Sequence, residues 1–273
     1  MLSRRMYLKS VGAVFAASRL PAYMADSDFL SYSDAQKEKF MLSGKIISAS
    51  EIGHGVTHPV KVELSLDGVT HAASIQRVDK ALSDFFASDG TRAAMRDSWR
   101  FNIAAYKLDR LLDLRMVAVT VQRAYLGKPA GFSWWVDDVL FEEADRVKKD
   151  IAPPDAASYD RQRAVSRVFD ELIINIDRNL SNLLITKDWK LALIDHSRSF
   201  TPYPGIRNKE NLTQCSRSLF EAMKALTAAS VAKAVETYLT GPERDALLGR
   251  RDRIVEFFQD RIREKGEANV LFG

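Results

Sequence analysis

The chain has 273 residues, 46% of them hydrophobic and 28% charged, with a formal net charge of +4. That length suits one large domain or one domain in two lobes, and the composition is that of a chain able to bury a core. The single cysteine, Cys215, excludes an internal disulfide framework and a cysteine-based zinc site, and the mild positive charge permits an anionic partner without the basic stripe of a nucleic-acid binder.

The N-terminus reads Ser3-Arg4-Arg5-Met6-Tyr7-Leu8-Lys9, then a short apolar run over 11–17 and small residues up to Ala25. The charged part resembles a twin-arginine export signal. Arg19 interrupts the apolar region, and Tyr23 stands where a small residue is preferred before cleavage after Ala25. Two readings stay open: a cleaved signal over 1–25 with a periplasmic mature protein, and a basic amphipathic helix retained in a cytoplasmic one. No other segment is long and apolar enough to span a bilayer, so no transmembrane segment is expected in the mature chain.

Residues 34–42 read as a short helix leading into a strand at 45–48. Gly53-His54-Gly55 is a flexible turn, because glycine permits positive φ and close backbone approach. Val60, Val62 and Leu64 alternate with Lys61 and Glu63 as a half-buried strand, Asp67-Gly68 is a hairpin signal, and Ala73 and Ile75 continue as a third strand. Ile103, Tyr106, Leu108, Leu111 and Leu112 recur at helical spacing. A β-branched run at 116–121 reads as strand, Gly127-Lys128-Pro129 as turn, and 132–136 as extended chain. Beyond about 142 the pattern is helical, with Val165, Val168, Phe169, Leu172 and Ile173 on one face. Two short apolar strands, 183–185 and 191–194, flank a turn at Lys187-Asp188, and helices fill the remainder after a loop beyond Phe200. The expected organisation is an α+β fold: a sheet lobe with one helix over 26–138 and a mainly helical lobe over 139–273.

The chemistry-bearing stretch is Asn175-Ile176-Asp177-Arg178-Asn179-Leu180-Ser181-Asn182, ending at Ile194-Asp195-His196. Asp177 and Asn182 are five apart, and Asn182 and Asp195 thirteen, with a short hairpin between. Phosphoryl transfer needs a carboxylate to orient the attacking hydroxyl and hard oxygen ligands to hold a divalent cation against the phosphates. Taken singly, each of these residues is ordinary turn and cap chemistry. Together, with apolar strands around them, they point to a nucleotide and metal site. The histidines form no such set: His54 and His58 lie in loop and strand, with no carboxylate pair nearby.

The spacing resembles the catalytic loop H-R-D-x-x-x-x-N of protein kinases followed by the aspartate of D-F-G. The wording D-R-N-x-x-N and L-I-D-H is similar to atypical kinases: the HipA kinases, the phosphatidylinositol 3- and 4-kinases and the secretory-pathway kinases. The resemblance implies a two-lobed protein-kinase-like fold in a bacterial branch of that group, acting with ATP and Mg2+ (or Mn2+). It makes Asp177 the catalytic carboxylate and Asn182 and Asp195 the metal ligands. Ile52-Gly53-His54-Gly55-Val56-Thr57 resembles the glycine-rich loop, making Gly53 and Gly55 nucleotide-binding, and 134–137 would lie near the adenine hinge. The third strand of the family carries a phosphate-binding lysine, where this chain has Gln76, and the following helix carries its glutamate partner, where this chain has Asn102. A Gln76–Asn102 amide pair would keep the geometry with neutral hydrogen bonds. Arg77 and Lys80 are candidate replacement cations. The basic clusters Arg161, Arg163, Arg167 and Arg250, Arg251, Arg253 read as solvated helix faces.

Three functions follow: phosphoryl transfer to a hydroxyl on a protein, lipid or small molecule; a pseudokinase module binding nucleotide or a partner; and adenylyl transfer on the same scaffold. No nucleic-acid partner is expected.

Overall fold

The computed structural model describes residues 32–52 and 59–273. The glycine-loop candidates Gly53 and Gly55 and the export-signal candidate lie outside the described residues. Helix α1 (Asp34–Ser43) starts at a capping box between Ser33 and Gln36 and leads directly into a strand.

The strands are β1 (Lys45–Glu51), β2 (Val60–Leu66), β3 (Val69–Gln76), β4 (Asp79–Ala81), β5 (Phe85–Phe86), β6 (Arg92–Ala93) and β7 (Arg96–Ser98), followed by helix α2 (Trp99–Leu111). Then come β8 (Thr120–Tyr125) and β9 (Lys128–Trp134). Five of these strands form one antiparallel sheet in the order β1-β2-β3-β9-β8. Its registers follow from turn chemistry. Asp67 and Gly68 both take positive φ, as a two-residue turn of matching twist requires, and so pair Leu66 with Val69. Leu126 and Gly127 do the same between β8 and β9, so Lys128 and Pro129 already belong to the strand, not to the turn expected there. Pro129 is tolerated because β3 pairs with β9 only from Gly131 onward. On β2 the expected alternation is present: Val60, Val62 and Leu64 are buried while Lys61 and Glu63 are not.

Between β3 and α2 the chain makes two nested two-stranded ribbons, β4 with β7 and β5 with β6. These short pairs carry no hydrophobic alternation that a sequence pattern detects. They deliver Asp97 and Ser98 to the base of α2, where Ser98 caps the helix by accepting from the Arg100 N–H. Helix α2 is buried along most of its length, between the sheet on one side and the helical lobe on the other.

Residues 135–138 connect β9 to the second lobe, which comprises β10 (Val139–Glu142), α3 (Glu143–Lys148), α4 (Ala156–Leu172), β11 (Leu183–Thr186), β12 (Leu191–Leu193), β13 (Cys215–Ser216), α5 (Arg217–Ala225), α6 (Ala228–Val235), α7 (Gly241–Lys265), α8 (Glu267–Val270) and β14 (Leu271–Phe272). Strands β10, β11 and β12 form a small antiparallel sheet. One hydrophobic core runs through both lobes, from Val62 and Phe132 in the large sheet to Phe169 and Phe258 in the helices. A parallel bridge between Val117 and Leu193 also joins them.

Arg250 corrects the reading of its cluster as a solvated face. It is 0% exposed and donates to the backbone carbonyls of Leu172, Thr201 and Tyr203, bolting α7 to the end of α4. Helical spacing identifies a face but not what covers it. Among the described residues no helix is long and apolar enough to cross a membrane.

Candidate active site

The site begins where α4 ends. Ile174 takes a positive φ and breaks the helix, and the Asn175 side chain then accepts from the Asp177 N–H in a tight local turn. Asn179 caps the following 3-10 turn, accepting from the N–H groups of Ser181 and Asn182. Asn182 Nδ2 donates to the Asp177 carbonyl at 3.4 Å, leaving its amide oxygen available.

Arg178 holds this loop. It forks onto Asp170 of α4 at 2.9–3.2 Å and donates to the carbonyls of Asn182 (2.9 Å) and Ile194 (2.8 Å). The Ile194 N–H in turn donates to the Asn182 carbonyl at 3.2 Å. One guanidinium thus ties helix, loop and hairpin together, and brings the thirteen-residue interval between Asn182 and Asp195 to a close.

Asp195 takes a φ of 50°, in the left-handed region that a non-glycine residue enters only when its surroundings hold it there. Its Oδ1 accepts from Gln76 Nε2 at 3.2 Å and from the Ser197 N–H at 3.3 Å. Burial pushes its carboxyl above the usual aspartate range; the Ser197 hydrogen bonds oppose that push, and the charges of Asp97 and Asp177 add to it. His196, 1% exposed, is held neutral: burial, aided by Arg178, lowers its pKa well below the ordinary value.

The Gln76–Asn102 amide pair is not formed. Gln76 reaches across to Asp195, and Asn102 Oδ1 instead accepts from the His196 N–H at 2.7 Å. A third staple, from the Ser98 N–H to the Ser197 carbonyl at 2.8 Å, completes the seam between α2 and the segment after Asp195. Both amides therefore bind the D-H-S segment and not each other. Arg77 and Lys80 do not reach the carboxylates. Arg77 lies over the Tyr125 ring at 5.5 Å, and both line a cavity of about 770 Å³ that includes none of Gln76, Asp177, Asn182 or Asp195. The tryptophans act in packing: Trp134 stacks on His71 with ring centres 3.7 Å apart and donates to Asp137, while Lys61 sits over Trp135 at 4.2 Å.

Two residues that sequence reasoning passed over complete the arrangement. Asp97, 0% exposed, accepts from Arg198 Nε at 2.9 Å, and Arg198 Nη1 donates to Asp177 Oδ2 at 3.1 Å. The available signal was weak: an arginine three residues beyond Asp195 and an acid one residue ahead of a helix cap. Among the described residues no three His, Cys, Asp or Glu side chains are grouped to hold a metal ion by themselves. The donor set nevertheless fits a divalent cation that shares its ligands with phosphate. Asn182 and Asp195 offer hard oxygens, and two buried acceptor atoms nearby, Gln76 Oε1 and Asp97 Oδ1, have no hydrogen-bond donor.

A small antiparallel sheet lobe, a mainly helical lobe and a polar seam between them define an atypical protein-kinase-like fold. Solved structures agree. The structure of hydra Fam20 with sugar matches at a TM-score of 0.66 and 16% identity, covering 87% of this chain and 91% of that one. The Golgi casein kinase with Mn/ADP bound matches at 0.59 and 13% identity, covering 87% and 78%. No family model and no curated protein matches the sequence.

Proposed function

We propose that the chain is an ATP-dependent phosphotransferase, and that the seam between its lobes is the active site. The observation that carries this reading is the closure of the Asp177–Asn182 loop onto Asp195 by Arg178. A second support is the Mn/ADP found in the Golgi casein kinase, whose fold this chain shares.

In this reading Asn182 and Asp195 hold Mg2+ or Mn2+. Bound there, such a cation would supply charge neutralisation for the phosphates and the leaving group. Asp177, nearly half exposed at the mouth of the seam, orients an acceptor hydroxyl and takes its proton. The hydroxyl oxygen bonds to the γ-phosphorus as the bond to the bridging oxygen breaks, and ADP leaves with that electron pair. Gln76 donates to Asp195 and so fixes the carboxylate that would hold the cation. The lobes divide near residue 138 in this reading, and Gly53 and Gly55 are nucleotide-binding.

The test is phosphate transfer from γ-labelled ATP with Mg2+ or Mn2+, measured with Asp177→Ala alongside. Wild-type turnover that the variant loses supports the reading; no turnover by the wild type with any metal or acceptor sinks it. Gln76 and Asn102, which are neutral at both positions of the lysine–glutamate pair, favour a second reading, a module that binds nucleotide without chemistry. It predicts thermal stabilisation by Mg-ATP with no transfer. Intact-mass analysis separates both from adenylyl transfer. N-terminal sequencing of the natively produced protein decides between cleavage after Ala25 and retention.

A further inference from the structure

The seam is short of one positive charge. Gln76 and Asn102 are neutral, and Arg77 and Lys80 face the other cavity. Yet the charges of Asp97 and Asp177 both bear on the buried Asp195 carboxylate. A nucleotide would add more negative charge to a place already dominated by acids. A single divalent cation offsets the net −2 left by these three acids and one arginine, but nothing of the phosphates.

We propose that Arg198 is the phosphate-binding residue of this site, and that Asp97 and Arg198 form a displaced ion pair standing in for the absent lysine and glutamate. The inference rests on the nucleotide-binding reading above. Three observations carry it. Arg198 Nε is anchored on a fully buried carboxylate, Asp97, which sits at the base of α2. Its Nη1 reaches Asp177 Oδ2, which places the guanidinium beside the reacting position. Only its Nε and one Nη1 hydrogen have partners among the described residues, and the side chain is 27% exposed, so three of its five N–H groups, both on Nη2 among them, remain for an incoming anion. The planar fork suits phosphate oxygens, and an arginine anchored at one edge loses little freedom on binding.

Arg178, only twenty residues away, makes the contrast. Four of its five N–H groups are taken by Asp170 and two carbonyls and its side chain is only 12% exposed, so it has far less to offer a ligand. The arginine beside Asp177 and the one three residues after Asp195 divide the work: the first builds the loop, the second stays partly exposed beside Asp177.

The experiment compares calorimetric binding of Mg-ATP and of adenosine to the full chain as wild type, Arg198→Gln, Arg198→Lys and the double variant Asp97→Asn with Arg198→Gln. The expected result is a roughly 10- to 100-fold loss of Mg-ATP affinity in Arg198→Gln, a smaller loss in Arg198→Lys, and adenosine affinity unchanged. The double variant removes the buried charge together with its partner; it should melt near the wild type and still lack the preference for ATP. Equal Mg-ATP affinity in wild type and Arg198→Gln overturns the inference while leaving nucleotide binding intact. Parallel losses of ATP and adenosine, or recovery of ATP affinity in the double variant, also overturn it, because either marks a structural role. A wild type that binds neither ligand removes the nucleotide-binding reading, and this inference with it.

Discussion

The two sides of the seam are built by opposite means. The helical wall is held by charge: Arg178 and Asp170 form a forked pair, both about nine-tenths buried, whose remaining donors hold the loop backbone. The sheet wall is held by neutral amides: Gln76 on the Asp195 carboxylate and Asn102 on the His196 N–H. Charge in a buried place is rigid but leaves a large penalty when one partner is lost, whereas an amide fixes position with a smaller stake. The difference explains how both members of a lysine–glutamate pair can be absent without opening the seam. Gln76 and Asn102 have a structural task, holding the D-H-S segment; in the proposed reading the electrostatic task falls to Arg198 and Asp97.

The strongest way to break the comparison is at Asp177, the carboxylate proposed to react. Asp177→Asn should lower phosphate transfer by about 10²–10⁴-fold while leaving Mg-ATP binding within a few fold, read from initial rates and calorimetry. A fall in binding as large as the fall in rate would mean that Asp177 builds the site instead of acting in it.

The charged wall should be next in sensitivity. Arg178→Met strands the buried Asp170 and removes the tie between Asn182 and Ile194, and should destabilise the fold by ~3–5 kcal/mol in urea unfolding. Adding Asp170→Asn should recover part of that loss, because the orphaned charge goes. The amide wall should yield less. Asn102→Ala leaves the buried His196 N–H without an acceptor, costing about 1–3 kcal/mol in the same assay. If Asn102→Ala matched Arg178→Met, the two walls would not differ as described.

The smallest effect sharpens the electrostatics. The pKa of Asp195 is raised in the folded protein, so ionising it opposes folding: its favourable contribution exists at low pH and is lost as pH rises through the folded value. Asp195→Asn, which keeps an oxygen for Gln76 and Ser197, should therefore melt above the wild type at pH 7 without metal. That advantage should vanish as pH falls toward the ordinary aspartate value of 3.8. An advantage independent of pH would show that the carboxylate charge is not the cause.

Much of this architecture could be read locally. The Asp67-Gly68 turn, the alternation on β2 and the Asp177, Asn182, Asp195 spacing all depend on neighbours within a few positions, where sterics and hydrogen bonding act on the chain directly. The ribbons β4–β7 and β5–β6 could not, because strands of two or three residues show no periodicity. Nor could the fates of the arginines. Arg250 opens the charged run Arg250-Arg251-Asp252-Arg253 and reads as solvated until α4 and the loop after Phe200 close over it.

What the amino-acid order determined alone is the local loop, since the Asp177-to-Asn182 turn closes through hydrogen bonds between near neighbours; an acid, an amide and a second acid at those intervals are what the proposed cation site needs. What only the tertiary structure decided is which partner each polar group meets. Gln76 finds Asp195 across 119 positions, Asn102 finds His196 across 94, and Arg198 finds Asp97 across 101. Such long-range pairings are selected by the packing of two lobes around α2, and no local preference encodes them.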